Sequence, residues 1–293
     1  MTTALTHVAE EIRSQPAAWT RALDLLPSLT DALPRPGERV AVVGCGTSWF
    51  MAEAYAQLRE EAGQGETDFF PASQVPADRR YERVVAITRS GTTTEVLQSI
   101  GSASCPVTAI TADRQTPVMA AADAAIVLDF ADEKSVVQTV FATTALMLLR
   151  ASLGEPVQHV IDQTATLLDT GPQHDDADQY TFLGQGWAHG VAREAALKMR
   201  EAAQAWTESY PQMEYRHGPI AIAQPGRVVW VFGAPVAGLL DDVLATGATV
   251  VCDDLDPVAD LVRVQLLAVS RARRLGLDPD RPRHLTRSVV LSS

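Results

Sequence analysis

The sequence predicts an α/β protein made of two tandem domains, each a parallel sheet flanked by helices in three layers. Short apolar runs alternate with helical segments along most of the chain, which is typical of βαβ units. The pattern restarts after the polar stretch GPQHDDADQ, and both halves contain a strand, Gly-x-Gly and a helix (VVGCGTSWFMAEAYA and FLGQGWAHGVAREAA). We therefore expect an N-terminal helical segment at 1–34, a first domain at 35–170 and a second domain at 171–293.

In the first domain, apolar runs predict five strands, and amphipathic segments between and after them predict helices. The strands are Val40 to Val43, Thr67 to Phe70, Val84 to Thr88, Val107 to Thr111 and Ala125 to Leu128. The helices are Trp49 to Glu61, Thr93 to Ile100, roughly Ser135 to Leu153, and Val157 to Asp169.

The second domain repeats this order with fewer elements. Its predicted strands are Tyr180 to Leu183, Val228 to Val231 and Ala248 to Cys252. One helix contains Ala195 to Met199 and another spans Pro257 to Leu275. The aromatic segment between the first helix and His217 is predicted to be a folded loop.

The composition excludes some classes of partner and compartment. The 293 residues carry a formal net charge of -12, which disfavours nucleic acid and anionic membranes as partners. The three cysteines, Cys45, Cys105 and Cys252, are far apart in the sequence, which indicates reduced thiols in a cytoplasmic protein. We expect no signal peptide and no membrane span, because the start lacks a basic and apolar leader and no stretch approaches ~18 apolar residues.

Two turns rich in glycine and hydroxyl side chains follow predicted strands. Gly44-Cys45-Gly46-Thr47-Ser48 ends the first strand, and Thr88-Arg89-Ser90-Gly91-Thr92-Thr93-Thr94 ends another. Ligands of open α/β sheets bind where strands meet helix N-termini, and backbone N–H groups there favour phosphate. Either turn alone is equally explained by ordinary helix capping. Together they favour a phosphate cradle over a dinucleotide site, because GCGTSW lacks the third glycine of that fingerprint.

A second cluster of chemically active residues lies on one predicted helix and the loop after it. Glu194, Lys198 and Glu201 are spaced i, i+4 and i+7, so they share a helix face. A surface ion-pair ladder is the ordinary explanation for such spacing. The helix follows Gly-x-Gly, and His217 follows an aromatic segment, which favours a functional site. A carboxylate and a neutral histidine are the pair needed to move protons on a sugar.

These motifs together resemble the sugar isomerase (SIS) domain proteins. CGTS after a strand, SGTT after another, and ALKMRE followed by RHGP are most similar to the isomerase half of glucosamine-6-phosphate synthase and to stand-alone amino-sugar phosphate isomerases and deaminases. The resemblance covers about residues 35 to 293. It implies two SIS units in tandem, no metal or redox cofactor, and a homodimer whose subunits complete each other's sites.

The resemblance also implies roles for individual residues. A phosphorylated sugar would be surrounded by Cys45, Gly46, Thr47, Ser48, Thr88, Ser90 and Thr93. Glu201 would move a proton between C1 and C2, Lys198 would hold polar groups of the open-chain sugar, and His217 would assist ring opening. The segment Glu133 to Thr139 would line the sugar from the other side.

Several residues depart from the synthase pattern. The synthase begins with a glutaminase domain that carries a catalytic cysteine, whereas this sequence begins MTTAL, so we expect no use of glutamine-derived ammonia. Gln138 and Val140 replace a serine and a lysine of the sugar-lining segment. Arg287, in PRHLTRSVV, replaces a lysine; an arginine can clamp an anion but cannot form a Schiff base. Arg89 replaces a neutral residue of the phosphate turn, and we expect it to bind the substrate through contacts beyond the phosphate.

The sequence therefore predicts an aldose–ketose isomerase and deaminase, which converts glucosamine-6-phosphate or a related amino-sugar phosphate to fructose-6-phosphate and ammonia. Two other enzymatic activities stay open, a deglycase of phosphorylated sugar–amine adducts and a plain ketose-phosphate isomerase. A non-catalytic sugar-phosphate sensor is a further alternative, although a sensor needs no proton-transfer residues such as Glu201.

Overall fold

The computed structural model describes residues Thr6–Leu291, so the ends of the predicted segments 1–34 and 171–293 lie outside the described residues. The chain divides into two compact units. The first unit contains Ser14–Val157 and residues 286–291, and the second contains residues 6–13 and Gln158–Leu285.

The first unit contains a five-stranded parallel sheet. Its strands are β1 (Val40–Gly44), β2 (Thr67–Pro71), β3 (Arg83–Ile87), β4 (Val107–Thr111) and β5 (Ala124–Val127). They lie in the order β2-β1-β3-β4-β5. All residues of β1, β3 and β4 are buried, as expected for parallel strands that are covered on both faces.

The second unit contains a four-stranded parallel sheet. Its strands are β6 (Gln179–Gly184), β7 (Thr207–Pro211), β8 (Arg227–Val231) and β9 (Thr249–Val251). They lie in the order β7-β6-β8-β9. In both sheets, the first strand of the unit lies between the second and the third strand.

Nine α-helices connect or flank these strands in the described part of the chain. They are α1 (His7–Leu25), α2 (Thr47–Glu61), α3 (Thr94–Gly101), α4 (Val118–Ala121), α5 (Val140–Ser152), α6 (Gln158–Leu167), α7 (Ala188–Ala203), α8 (Leu239–Leu244) and α9 (Pro257–Arg274). The prediction of two tandem α/β sheets flanked by helices is confirmed.

The register of the strands supports the inferred duplication. Gly44 of β1 pairs with Pro71 of β2, and Gly184 of β6 pairs with Pro211 of β7, so the same ladder positions carry the same residue types. A Cβ on Gly44 would lie 2.7 Å from the carbonyl oxygen of Ser48, and one on Gly184 would lie 2.3 Å from that of Ala188. Both turns therefore need glycine where the helix backbone returns over the strand end.

Two element predictions were wrong. The segment Thr207–Pro211, expected within a loop, is strand β7, because pairing with β6 outweighs the weak apolar pattern of TESYP. The helix predicted from about Ser135 begins at Val140. The Glu133 carboxylate accepts hydrogen bonds from the backbone N–H groups of Thr139, Val140 and Phe141, and this side-chain cap fixes the start of α5.

Among the described helices, none is long and apolar enough to span a membrane.

Candidate functional site

The two hydroxyl-rich turns lie side by side in the first unit. β1 and β3 are neighbours, with Val43 opposite Ala86, so the turns that follow them meet at the same sheet edge. The chain continues from β1 to β2 on one side and from β3 to β4 on the other, which makes the gap between β1 and β3 a topological switch point. Ligand crevices of open α/β sheets form at such points.

The first turn places small groups at the start of helix α2. Gly46 has φ of 54°, a left-handed conformation that favours glycine and that brings the next residues directly into the helix. Thr47 and Ser48 are buried in the first turn of α2. Burial, together with the nearby Glu95, raises the pKa of the Cys45 thiol, so this thiol is neutral at physiological pH.

The second turn is built around Gly91, whose φ is 61°. A Cβ at this position would lie 2.1 Å from the Thr116 hydroxyl oxygen, so the turn has no space for a side chain there. The Thr92 hydroxyl donates to the Ser90 hydroxyl at 3.1 Å. Thr88 is buried and Thr93 is half-buried at the start of α3, which places both near the sheet edge.

Arg89 extends away from the turn toward the segment between β5 and α5. Its guanidinium donates to the carbonyl oxygens of Ser135 at 3.1 Å and Val136 at 3.2 Å, and lies 3.5 Å from the Glu133 carboxylate. Both side chains of this ion pair are at most 1% exposed. Arg89 thus braces the predicted sugar-lining segment, and its contact with a substrate stays a prediction.

The C-terminal residues of the first unit lie on the second turn. The Thr92 and Ser288 hydroxyl oxygens lie 3.0 Å apart within hydrogen-bond distance, and the Thr94 N–H donates to the Val289 carbonyl at 3.2 Å. Arg287 pairs with Asp132 and donates to the Glu133 carbonyl oxygen. The tail therefore occupies one N–H group at the start of helix α3.

Gln138 lies in the segment between Arg89 and α5. It is half-buried, and its side-chain oxygen has no hydrogen-bond partner within residues 6–291. An amide oxygen of this kind gains a partner when a ligand hydroxyl approaches. The predicted role of Gln138 in binding sugar stays a prediction.

The corresponding sheet edge of the second unit is occupied by a side chain. Gln212 follows Pro211 as Ala72 follows Pro71 in the first unit. The Gln212 amide donates to the Ala234 carbonyl at 3.1 Å and accepts from the Val236 N–H at 2.8 Å, and this side chain is fully buried. The amide therefore satisfies the loop after β8, and hydroxyl-rich turns are absent from this edge of the second unit.

Helix α7 of the second unit brings the predicted acid–base residues together. The Lys198 ammonium lies 2.5 Å from the Glu201 carboxylate and 3.3 Å from the Glu194 carboxylate. Lys198 and Glu194 are 2% and 1% exposed, whereas the Glu201 side chain is 19% exposed. One Glu201 oxygen is thus held by a buried ammonium while the carboxylate still reaches solvent. The alternative of an exposed ion-pair ladder does not describe this cluster.

His217 lies in the second unit at the end of a short 3-10 turn, Met213–His217, and is exposed. The residue that follows, Gly218, has φ of 133°, so the chain reverses there with a conformation that glycine favours. The exposure leaves the histidine accessible, and its predicted role in ring opening stays a prediction.

Sequence reasoning did not identify Glu133 as the cap of α5 or Gln212 as the residue that occupies the second sheet edge. No local motif marks either residue, because both act on backbone groups that only the fold brings within reach. Within residues 6–291, no group of three or more His, Cys, Asp or Glu side chains is arranged to hold a metal ion.

No protein-family model matches the chain. Among curated proteins it is similar to glutamine–fructose-6-phosphate aminotransferase (isomerizing). It is 28% identical to the enzyme of Halobacterium salinarum over 97% of this chain and 59% of the relative. It is 23% identical to the enzyme of Caldanaerobacter subterraneus over 87% of this chain and 52% of the relative. The chain thus spans about half the length of the curated relatives it matches.

Solved structures show which half is matched. The C-terminal domain of glucosamine-fructose-6-phosphate aminotransferase from Francisella tularensis superposes with a TM-score of 0.81 at 21% identity, covering 95% of this chain and 99% of that domain. This chain is thus similar in fold, along nearly its whole length, to the C-terminal domain of this aminotransferase.

The same SIS fold is found in stand-alone proteins. A glucosamine-6-phosphate deaminase from Thermotoga maritima has a TM-score of 0.83 at 23% identity, with 98% of this chain and 100% of that chain covered. A tagatose-6-phosphate ketose/aldose isomerase from Escherichia coli has a TM-score of 0.79 at 21% identity, with both chains fully covered. The predicted resemblance to SIS proteins is confirmed.

Proposed function

We propose that this chain catalyses aldose–ketose isomerisation of a phosphorylated amino sugar and releases its amine. Glucosamine-6-phosphate or a close relative is the substrate, and fructose-6-phosphate and ammonia are the products. The observation that carries the proposal is the Glu201 carboxylate, which Lys198 holds by one oxygen at 2.5 Å. An oriented carboxylate that still reaches solvent is suited to proton transfer on a bound sugar.

The hydroxyl-rich turns supply the phosphate site in this proposal. The hydroxyls of Thr47, Ser48, Thr88, Ser90 and Thr93, with Gly46 and the Cys45 thiol, provide neutral donors at the β1/β3 switch point. The N-terminal ends of α2 and α3 add backbone N–H groups and a partial positive charge. Neutral donors bind phosphate without burying further full charges. Arg287 and Gln138, from the tail and the sugar-lining segment, would contact the sugar.

The reaction follows from one base acting on two adjacent carbons. Glu201 removes the proton from C2 of the open-chain aldose and returns it to C1 through an enolamine. The nitrogen-bearing C2 becomes an imine, water adds to it, and the C–N bond breaks to give the ketose and ammonia. Lys198 keeps the carboxylate in place, and His217 assists ring opening. The relatives named for isomerases and deaminases of phosphosugars support this reaction type.

Turnover in deuterium oxide tests the proposal directly. Incubation of the purified protein with glucosamine-6-phosphate should release ammonia and place one solvent deuterium at C1 of the ketose. We expect Glu201→Gln to lower kcat by about 10²- to 10⁴-fold, which is the usual contribution of a general base. Glu214→Gln, at an exposed carboxylate near His217, is the matched control and should retain activity. Full activity in Glu201→Gln, or no turnover of any hexosamine phosphate, would refute the proposal.

The predicted homodimer and the predicted cytoplasmic location are also part of this proposal. Light scattering after size exclusion measures the dimer, since a mass near twice 31.5 kDa is expected. Mixed dimers of Glu201→Gln and His217→Ala subunits would recover activity if His217 acts across the subunits, and would remain inactive if both residues serve the same subunit's site.

A further inference from the structure

Arg89 is fixed to two different parts of the first unit. Its carbonyl oxygen accepts hydrogen bonds from the Ala112 N–H at 3.1 Å and the Thr111 hydroxyl at 3.2 Å, so its backbone is held against the end of β4. Its guanidinium donates to the carbonyl oxygens of Ser135 at 3.1 Å and Val136 at 3.2 Å, before α5. Arg89 thus joins a turn that is proposed to bind phosphate to the segment that is proposed to line the sugar.

Glu133 makes contacts through both its side chain and its backbone. The carboxylate lies 3.5 Å from the Arg89 guanidinium, and it accepts from the N–H groups of Val140 at 2.8 Å and Phe141 at 3.3 Å, at the start of α5. The carbonyl oxygen of Glu133 accepts from the Arg287 guanidinium. One residue therefore contacts the arginine of the second turn, the first residues of α5 and the C-terminal tail.

The two side chains that are proposed to contact the sugar are attached to this arrangement. Gln138 lies in the short stretch between the carbonyl groups that Arg89 binds and the N–H groups that Glu133 binds. The Arg287 carbonyl oxygen accepts from the Arg89 guanidinium at 3.3 Å, and the Arg287 guanidinium donates to the Glu133 carbonyl oxygen. The buried Arg89–Glu133 pair therefore supports both the sugar-lining segment and the tail.

Fold stability alone is a weak reason for this ion pair. Both side chains are at most 1% exposed, and taking two charges out of water offsets much of their attraction, so a well-packed apolar pair is often as stable. A guanidinium offers several donors in a rigid planar fork, which lets one side chain hold carbonyl oxygens of two separate segments at once. An apolar side chain has no donors and cannot hold the two segments in this way.

Resting on the proposed function, we propose that Arg89 and Glu133 are positioning residues for sugar recognition. The pair holds Gln138 and Arg287 where they contact the sugar, whereas the phosphate binds through the hydroxyl and N–H groups of the two turns. In this assignment the predicted contact of Arg89 with the substrate is replaced by an indirect role. The pair therefore contributes to the affinity for a phosphosugar and not to the affinity for inorganic phosphate.

Binding of two ligands that do not react tests this assignment. One is inorganic phosphate, and the other is 2-amino-2-deoxyglucitol 6-phosphate, which has no carbonyl carbon and cannot isomerise. The double variant Arg89→Met with Glu133→Gln removes both charges together, and the glutamine keeps an acceptor oxygen for the start of α5. Titration calorimetry should show about tenfold weaker binding of the hexitol phosphate, which is about 1.4 kcal/mol, with phosphate binding within about twofold of the wild type.

Arg150→Met is the matched control. Arg150 is a buried arginine of α5 that pairs with Glu155 after the end of the helix, so its loss weakens the same unit away from the sugar-lining segment. This variant should keep the wild-type preference for the hexitol phosphate. Arg89→Lys keeps a positive charge beside Glu133 without the planar fork and should keep only part of the preference. It decides the test if circular dichroism shows that the double variant is unfolded.

Four results would overturn the inference. Equal losses for both ligands in the double variant would mean that Arg89 binds the phosphate directly. An unchanged preference in the double variant would mean that the pair does not position the sugar-binding residues. A lost preference in Arg150→Met would trace the effect to general destabilisation. A wild type that binds the two ligands equally, or binds neither, would leave the pair no sugar recognition to support.

Turnover separates this inference from the proposed function. In the double variant, KM for glucosamine-6-phosphate should rise about tenfold while kcat stays within about threefold, because the proposed base is unchanged. Ammonia release by the wild type, with an unchanged ligand preference in the double variant, leaves the proposed function standing and overturns the inference. A lost preference in the double variant, without turnover of any hexosamine phosphate by the wild type, supports the positioning role and overturns the proposed reaction.

Discussion

Replacing Asp260 with asparagine should stabilise this protein at neutral pH and progressively less at acidic pH. Asp260 lies in helix α9, is 1% exposed and accepts a hydrogen bond from the Trp230 indole at 2.8 Å. Arg263 lies 3.2 Å from the same carboxylate but also pairs with Asp253 at 2.6 Å. Asparagine keeps an acceptor for the indole and removes the buried charge.

The magnitude follows from the pKa of the carboxyl group. Burial raises the pKa of Asp260 from 3.8 to about 6, against the opposing effects of the Trp230 hydrogen bond and Arg263. One pKa unit is about 1.4 kcal/mol, so the ionised group costs the folded state about 3 kcal/mol above pH 6. The folded state binds the proton more tightly, so stability from this group is present below pH 3.8 and is lost as the pH rises through 6.

Urea unfolding of the wild type and Asp260→Asn, followed by circular dichroism, measures this difference. The variant should be more stable by about 3 kcal/mol at pH 8 and by about half of that at pH 5. Asp253→Asn is the control, because it removes an exposed carboxylate from the same arginine and should change stability by less than about 1 kcal/mol. A stability gap that is equal at both pH values, or a less stable Asp260→Asn at pH 8, would show that burial does not dominate this site.

Three further substitutions address the turns and their supports. Gly91→Ala should weaken inorganic phosphate binding and lower the melting temperature, since its Cβ would lie 2.1 Å from the Thr116 hydroxyl; unchanged binding by calorimetry would contradict this. Arg89→Met should cost about 3–5 kcal/mol in urea unfolding, because it removes the guanidinium from the buried Glu133 carboxylate, whereas a purely substrate-binding Arg89 would leave stability unchanged. Gln212→Leu should cost about 1–3 kcal/mol by leaving the N–H after β8 without its acceptor, and a neutral effect would exclude that role.

The fold was predictable because most of its strands are short apolar runs, and the first strand of each sheet, β1 and β6, ends at glycine. Val40–Gly44 and Val107–Thr111 are fully buried, so every position along them is selected for the core. Strand β7 was not predicted, because four of its five residues are only half-buried and the segment lacks a continuous apolar run. Its pairing with β6 is therefore not evident from the sequence. The first residue of α5 was also not predicted, because the side chain that caps the helix is that of Glu133, several residues before it.

The candidate site was predictable where spacing fixes geometry. Three residues at i, i+4 and i+7 on a helix must share a face, and the contacts of Lys198 with Glu194 and Glu201 follow from that spacing. For Arg89, the sequence spacing did not indicate which residues its side chain contacts. Its position in the phosphate turn predicted a contact with substrate, yet its long side chain reaches carbonyl oxygens of a segment more than forty residues away in the sequence.

The amide of Gln212 has a consequence for how the chain responds to ligand concentration. The two sheet edges are built alike but differ at one position: Gln212 follows β7 and bonds the loop after β8, whereas Ala72 follows β2. A polypeptide whose proposed phosphosugar site is confined to the first unit binds one ligand, so its binding curve is a simple hyperbola. Any sigmoidal response to phosphosugar must then arise from communication between separate polypeptides.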